Sequence, residues 1–98
     1  MTAPVDKALH RTMKIRNKLG MHARAAVKFV QLASRFESEI YVAKDGENVN
    51  GKSIMGLLTL VAAFGTQIQV SAEGSDAVSA IEQLGALVDS GFEEGVAD

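Results

Sequence analysis

From Leu9 onward, apolar and polar side chains alternate with a period of two. Leu9, Arg11, Met13 and Ile15 fall on one face, and His10, Thr12, Lys14 and Arg16 on the other. This predicts a half-buried strand. Gly20 turns the chain, and from Ala23 to Phe36 the period becomes helical: Arg24, Lys28, Gln31 and Arg35 form a wet face, while Phe29, Val30, Leu32, Ala33 and Phe36 point elsewhere. A second strand over Glu39 to Ala43 is marked by its Ile-Tyr-Val centre, and Asp45-Gly46 predicts a two-residue hairpin into a third, Glu47 to Val49. Asn50-Gly51 turns again, and Ser53 is placed to cap a short helix, Ile54 to Val61, that is apolar on nearly every side. Gly65 breaks that helix, and Thr66 to Ala72 alternates as a fourth strand with Ile68, Val70 and Ala72 inward. Glu73-Gly74 leads to a last helix capped by Ser75, with Asp76 complementing its dipole, Ala77, Ile81, Leu84 and Val88 on its core face, and Ser90-Gly91 at its end.

The order βαββαβα with one hairpin predicts an α+β open-faced sandwich, with three helices on one face of a four-stranded antiparallel sheet. A right-handed first crossover leaves a gap between the first two strands for the last one to enter, which gives the order 1-4-2-3. With no repeat, low-complexity tract or linker, residues 1–98 read as one domain with an ordered core over about 9–92. Met1 to Ala8 and Glu93 to Asp98 are expected to fray.

Composition narrows the function. A chain of 98 residues can bury roughly 60–70% of its unfolded surface without staples. It has no cysteine, which removes thiolate chemistry, disulfides and cysteine-based zinc sites, and no metal or cofactor is expected. A net charge of −2 and a pI near 5.6 give no reason to expect a nucleic acid partner. Met1 to Thr12 lacks the apolar centre of a signal peptide, and Ile54 to Phe64 is far short of the roughly 20 residues that span a bilayer. A soluble cytoplasmic protein without membrane insertion is expected.

Candidate chemistry gathers at Lys18-Leu19-Gly20-Met21-His22-Ala23-Arg24, where a strand and a glycine turn hand over to a helix. A histidine there is a candidate phosphate acceptor. Its neutral ring is a nucleophile, and the helix start supplies unpaired N–H donors and a positive dipole end for phosphate oxygens. Arg24 adds a permanent cation with a fork of donors. Taken singly, His22 could be a cap, Arg24 a solvated charge, and Ser53 a cap contributing about 1 kcal/mol. His10 reads as a solvated strand residue. Ile54, Met55 and Leu58 could be core, but a short helix in so small a domain cannot bury all its sides, so they form a candidate docking patch. Lys28 and Lys52 are candidates for its rim, although either alone reads first as a solvated charge.

Three motifs carry a resemblance: Gly20-Met21-His22-Ala23-Arg24, Gly51-Lys52-Ser53-Ile54-Met55-Gly56 and Ser71-Ala72-Glu73-Gly74. Over Thr12 to Phe92 the chain resembles HPr, the phosphocarrier family of the bacterial phosphoenolpyruvate-dependent phosphotransferase system. Asn17-Lys18-Leu19-Gly20-Met21, Lys28 and the Ser90-Gly91-Phe92-Glu93-Glu94 tail look closer to the nitrogen-branch paralogue NPr, and Lys52 to Gly56 closer to sugar-branch HPr.

The resemblance implies a stoichiometric carrier rather than an enzyme with a free substrate, in sugar uptake or nitrogen-related regulation. His22 would take a phosphoryl group on Nδ1 from enzyme I and pass it to a histidine of an IIA-type protein, with Arg24 beside it. Ser53 matches the serine that a dedicated kinase phosphorylates as an inhibitory signal in some bacteria. Ala23, Ile54, Met55 and Leu58 would contact partners, and the carrier would be a monomer. The family usually has proline after the arginine; Ala25 frees one more N–H and gives up a rigid helix start. Two other readings stand beside this one: a regulatory binding module acting through Ser53 phosphate with His22 silent, and a small-molecule-binding α+β domain, for which there is no pocket signature.

Overall fold

The computed structural model describes residues 7–97. The elements follow the order β1 (Leu9–Lys14), α1 (Ala23–Ala33), β2 (Glu39–Lys44), β3 (Glu47–Asn50), α2 (Ile54–Thr59), β4 (Gln67–Glu73) and α3 (Ala77–Asp89). The four strands form one antiparallel sheet in the order β1-β4-β2-β3. As expected from the hairpin and the crossover, β4 enters between β1 and β2, pairing Met13 with Ile68 on one side and Val42 with Val70 on the other. Asp45 and Gly46 both take positive φ, the primed turn that matches strand twist, so Lys44 pairs with Glu47 across a two-residue loop.

One face of the sheet meets the helices. Met13, Ile15, Ile40, Val42, Ile68, Val70 and Ala72 are buried there against Ala25, Phe29, Leu57, Ala80, Leu84 and Val88. Leu9, expected on that face, lies at the start of β1 and is exposed. Arg11, also on that face, is only half-buried and pairs with Asp89 at 3.1 Å.

Several element ends differ from the sequence pattern, each for a local reason. α1 stops at Ala33 rather than Phe36, because Arg35 and Phe36 donate to the carbonyls of Leu32 and Ala33 and so wind the last residues into a tighter turn. α2 stops at Thr59 rather than Val61, which adopts a positive φ of 49°. Its cap is as expected: Ser53 Oγ accepts from Gly56 N at 3.0 Å. Ser75 does not cap α3. The N-cap position falls to Asp76, whose carboxylate instead reaches back across the fold to Ser38 and the amide of Glu37. The Ser38 hydroxyl and the Glu37 amide hold the Asp76 carboxyl below its ordinary 3.8. A depressed carboxyl stabilises the fold above the unfolded value, and that contribution is lost as pH falls through the lowered one.

The C-terminal end of α3 departs furthest from expectation. Gly91, at φ +69°, and Phe92 donate to the carbonyls of Val88 and Leu87, the paired bonds of a Schellman cap. This cap drives Phe92 into the core, where it is fully buried. Residues 93–97, expected to fray, are therefore tied back: Glu94 N donates to Gly91 O, and Ala97 N to Arg16 O at 2.8 Å. The fraying expected of Met1 to Asp6 and of Asp98 lies outside the described residues.

Candidate functional site

The turn from β1 to α1 is built before His22 is reached. Asn17, almost wholly buried, uses its amide to donate to Gly20 O at 2.8 Å and closes the turn. Gly20 sits at φ +70°, and a Cβ there would lie 2.6 Å from the Ala62 carbonyl oxygen, so a side chain is excluded by conformation and by space. Met21 N donates to that same carbonyl at 2.9 Å, which locks the turn against the chain leaving α2.

His22 is the N-cap of α1. Its backbone is extended (φ −81°, ψ 179°), its carbonyl accepts from Ala26 N at 2.9 Å, and its Nδ1 accepts from Arg24 N at 3.3 Å. The helix starts at Ala23, and Ala25 in its first turn is buried. On the other side of the ring, Nε2 lies 2.5 Å from Glu94 Oε2. Glu94 Oε1 in turn accepts from Asn17 Nδ2 at 2.9 Å, so one buried amide orients both the turn and the carboxylate. Burial alone would raise the Glu94 carboxyl. Hydrogen bonds from Asn17 and His22, with the charges of His22 and Lys28, outweigh this and hold it below 4.5. Any stability it contributes is thus complete above that value and lost in acid, as pH falls through the lowered one.

Arg24 is exposed and lines an open cleft of about 550 Å³ with Lys18, Leu19 and residues 94–97. Two cations, Lys18 and Arg24, therefore line the cleft together with Glu94, the residue that meets the His22 ring. Lys28 and Lys52 are not simply solvated charges; they donate to the carbonyls of Phe92 and Phe36 at 2.9 and 2.7 Å. Ala23 is exposed, Ile54 and Met55 are exposed, with Met55 at 74%, while Leu58 is half-buried against the core. Leu19, Val61 and Phe64 add exposed apolar surface in the two loops that meet at Gly20 and Ala62. They stand outside regular elements, where apolar periodicity gives no signal. Asn17 and Glu94 also escaped the sequence reading. One looks like a turn former and the other like a charged tail residue, and only the fold brings them together at His22.

No group of three or more His, Cys, Asp or Glu among the described residues could hold a metal ion. No helix among them is long and apolar enough to cross a membrane.

Residues 9–90 match the family model described as the PTS HPr component phosphorylation site. The chain is 49% identical over 87 residues to the phosphocarrier protein HPr of Neisseria meningitidis serogroup A, covering 89% of this chain and 98% of that one. Among solved structures, HPr from Thermoanaerobacter tengcongensis superimposes with a TM-score of 0.86 at 46% identity, covering 90% of this chain and 99% of the other. Crh from Bacillus subtilis, described as a dimer with a swapped domain, superimposes with a TM-score of 0.69 at 44% identity over 87% of this chain and 94% of that one.

Proposed function

The chain belongs to the HPr family of phosphocarrier proteins of the phosphotransferase system, and from that premise we propose that His22 is the residue that carries the phosphoryl group. The observation that carries this reading is the placement of Nδ1 against the N-terminus of α1, 3.3 Å from Arg24 N. A phosphoryl group on Nδ1 meets backbone donors and the positive end of the helix dipole. Phosphoryl transfer passes through a loose transition state with charge spread over three equatorial oxygens, so placed donors and a cation are most of what a carrier must supply. The phosphoryl group comes from a histidine of enzyme I and goes to a histidine of an IIA-type protein. Incubation with phosphoenolpyruvate and enzyme I, followed by intact mass and phosphorus NMR, tests this. One acid-labile phosphate on nitrogen is expected, and no labelling would refute it.

Arg24 assists as a fork of donors at the cleft rather than as a charge alone. Arg24→Lys should therefore slow labelling despite conserving charge, with stability changed by no more than about 0.5 kcal/mol. If Arg24→Ala passes phosphate at the parental rate, the residue is only a surface charge.

Ala23, Ile54, Met55 and the exposed side of Leu58 dock donor and acceptor proteins. The exposure of Met55 supports this, since an apolar anchor that acts as an interface hot spot contributes about 2 kcal/mol or more. Met55→Glu should weaken binding to enzyme I by about that amount, with the melting curve nearly unchanged; a large stability loss with normal binding would return the residue to the core. Ser53 lies at the border of the same patch. A phosphate there would add about −1.5 to −2 charges at a helix N-terminus, which the fold tolerates, beside an apolar surface that a partner must desolvate. Inhibition at docking rather than by unfolding follows, and the same binding measurement on phosphoserine protein reads it; undiminished binding would leave Ser53 a helix cap.

A further inference from the structure

We propose that Glu94 is a positioning residue for the phosphoryl acceptor: its carboxylate, oriented by Asn17, keeps the proton of the His22 ring on Nε2 and leaves Nδ1 as the nucleophile. The proposal rests on the reading of His22 as carrier. Two contacts select the same tautomer. A backbone N–H can only donate, so Nδ1, facing Arg24 N at 3.3 Å, carries no proton. An ionised carboxylate can only accept, so Nε2, 2.5 Å from Glu94 Oε2, carries it. Which ring nitrogen is protonated in a histidine is set by the hydrogen bond the other makes, and here both are engaged.

The carboxylate is itself fixed. Asn17 holds its second oxygen, Lys28 Nζ holds the carbonyl of Phe92 at 2.9 Å, and Ala97 N is bonded to Arg16 O on the far side of the tail. The charged groups around the ring are thus Glu94 from the tail, Arg24 and Lys28 from α1, and Lys18 from the turn that shares the cleft with Arg24. Of these only Glu94 is anionic.

This arrangement has a consequence for the transfer step. The Nδ1 lone pair forms the new N–P bond as the phosphorus leaves the nitrogen of the phosphorylated donor, which keeps the bonding pair. The His22 ring, retaining its Nε2 proton, becomes a positively charged phosphoimidazolium. Glu94 faces that charge without any proton having to move, as the buried aspartate of a serine protease faces its imidazolium. On transfer to the acceptor the charge disappears and the neutral tautomer is restored. The long Arg24 N–H contact to Nδ1 also leaves that donor available to a phosphoryl oxygen.

Long-range proton–nitrogen NMR of the nitrogen-15-labelled protein reads the tautomer directly. Neutral His22 should be predominantly Nε2–H in the parent, and a majority of Nδ1–H would overturn the proposal. In Glu94→Gln, whose amide can donate as well as accept, the tautomers should mix. Labelling from phosphoenolpyruvate and enzyme I should then slow about tenfold, the low end of what losing the hydrogen-bond partner that orients a metal-bound histidine costs, with the protein still folded. Parental labelling with an unchanged tautomer ratio would overturn the proposal. So would slow labelling with an unchanged ratio, since Glu94 would then be only a tether for the tail. If the parent itself takes no label, the carrier reading fails, while the tautomer measurements still decide the role of Glu94.

Discussion

Replacing His22 with alanine should abolish labelling from phosphoenolpyruvate and enzyme I while the protein remains folded. The chemistry requires a nitrogen nucleophile, and His10, the other histidine, lies on the outer face of β1 opposite Ser71, far along the chain from the start of any helix. Ala23 and Ala25, its neighbours in the first turn of α1, carry no nucleophile. The cost to stability should be small. His22 caps α1 through one long hydrogen bond, and loss of a cap commonly costs about 1 kcal/mol. Intact mass after incubation reads the result. A phosphate that persists in this variant, on His10 or elsewhere, would refute the assignment.

Phe92→Ala should cost about 3–5 kcal/mol, a large part of the roughly 5–15 kcal/mol that holds a small domain together. The ring is fully buried, and the residue follows the glycine of the α3 cap, so no nearby backbone can collapse into the space without undoing that cap. The same substitution should loosen the tail that carries Glu94, because Phe92 is the last core anchor before it and its carbonyl receives the Lys28 ammonium. Urea unfolding followed by circular dichroism measures the loss. A change below about 1 kcal/mol would show that the ring is peripheral and that the tail is held by hydrogen bonds alone.

Much of this protein was legible in short stretches of sequence. The alternation of Leu9 to Arg16 and of Thr66 to Ala72, the Asp45-Gly46 turn and the Ser53 cap are local: each depends on residues within one turn or one strand, so pattern and spacing suffice to read them. The sheet order followed from the handedness of a crossover, which chain chirality imposes on any such unit. Local sequence also sufficed to place His22 at a helix start with Arg24 in its first turn, since both lie within three residues.

Element ends were less legible, because they depend on competition between bonding patterns of similar energy. The tight turn after Ala33 and the positive φ of Val61 are decided by what the chain must reach next. Asp76 shows the same principle: by sequence it complements a helix dipole, but in the fold its carboxylate finds better donors at Glu37 and Ser38. The tail shows it most fully. Glu93 to Asp98 is short, polar and terminal, and such segments fray unless something distant binds them.

By itself, then, the sequence determined the elements, their order in the sheet, and a histidine and an arginine at a helix start, because each of these is set by neighbours along the chain. Only the tertiary structure decided that Glu94, held by Asn17, meets the far side of the His22 ring, that Lys28 and Lys52 donate to the carbonyls of Phe92 and Phe36, and that Leu58 is half-buried while Met55 is exposed. Those contacts join residues up to 77 positions apart, and nothing in local periodicity encodes a distance that only the closing of the core creates.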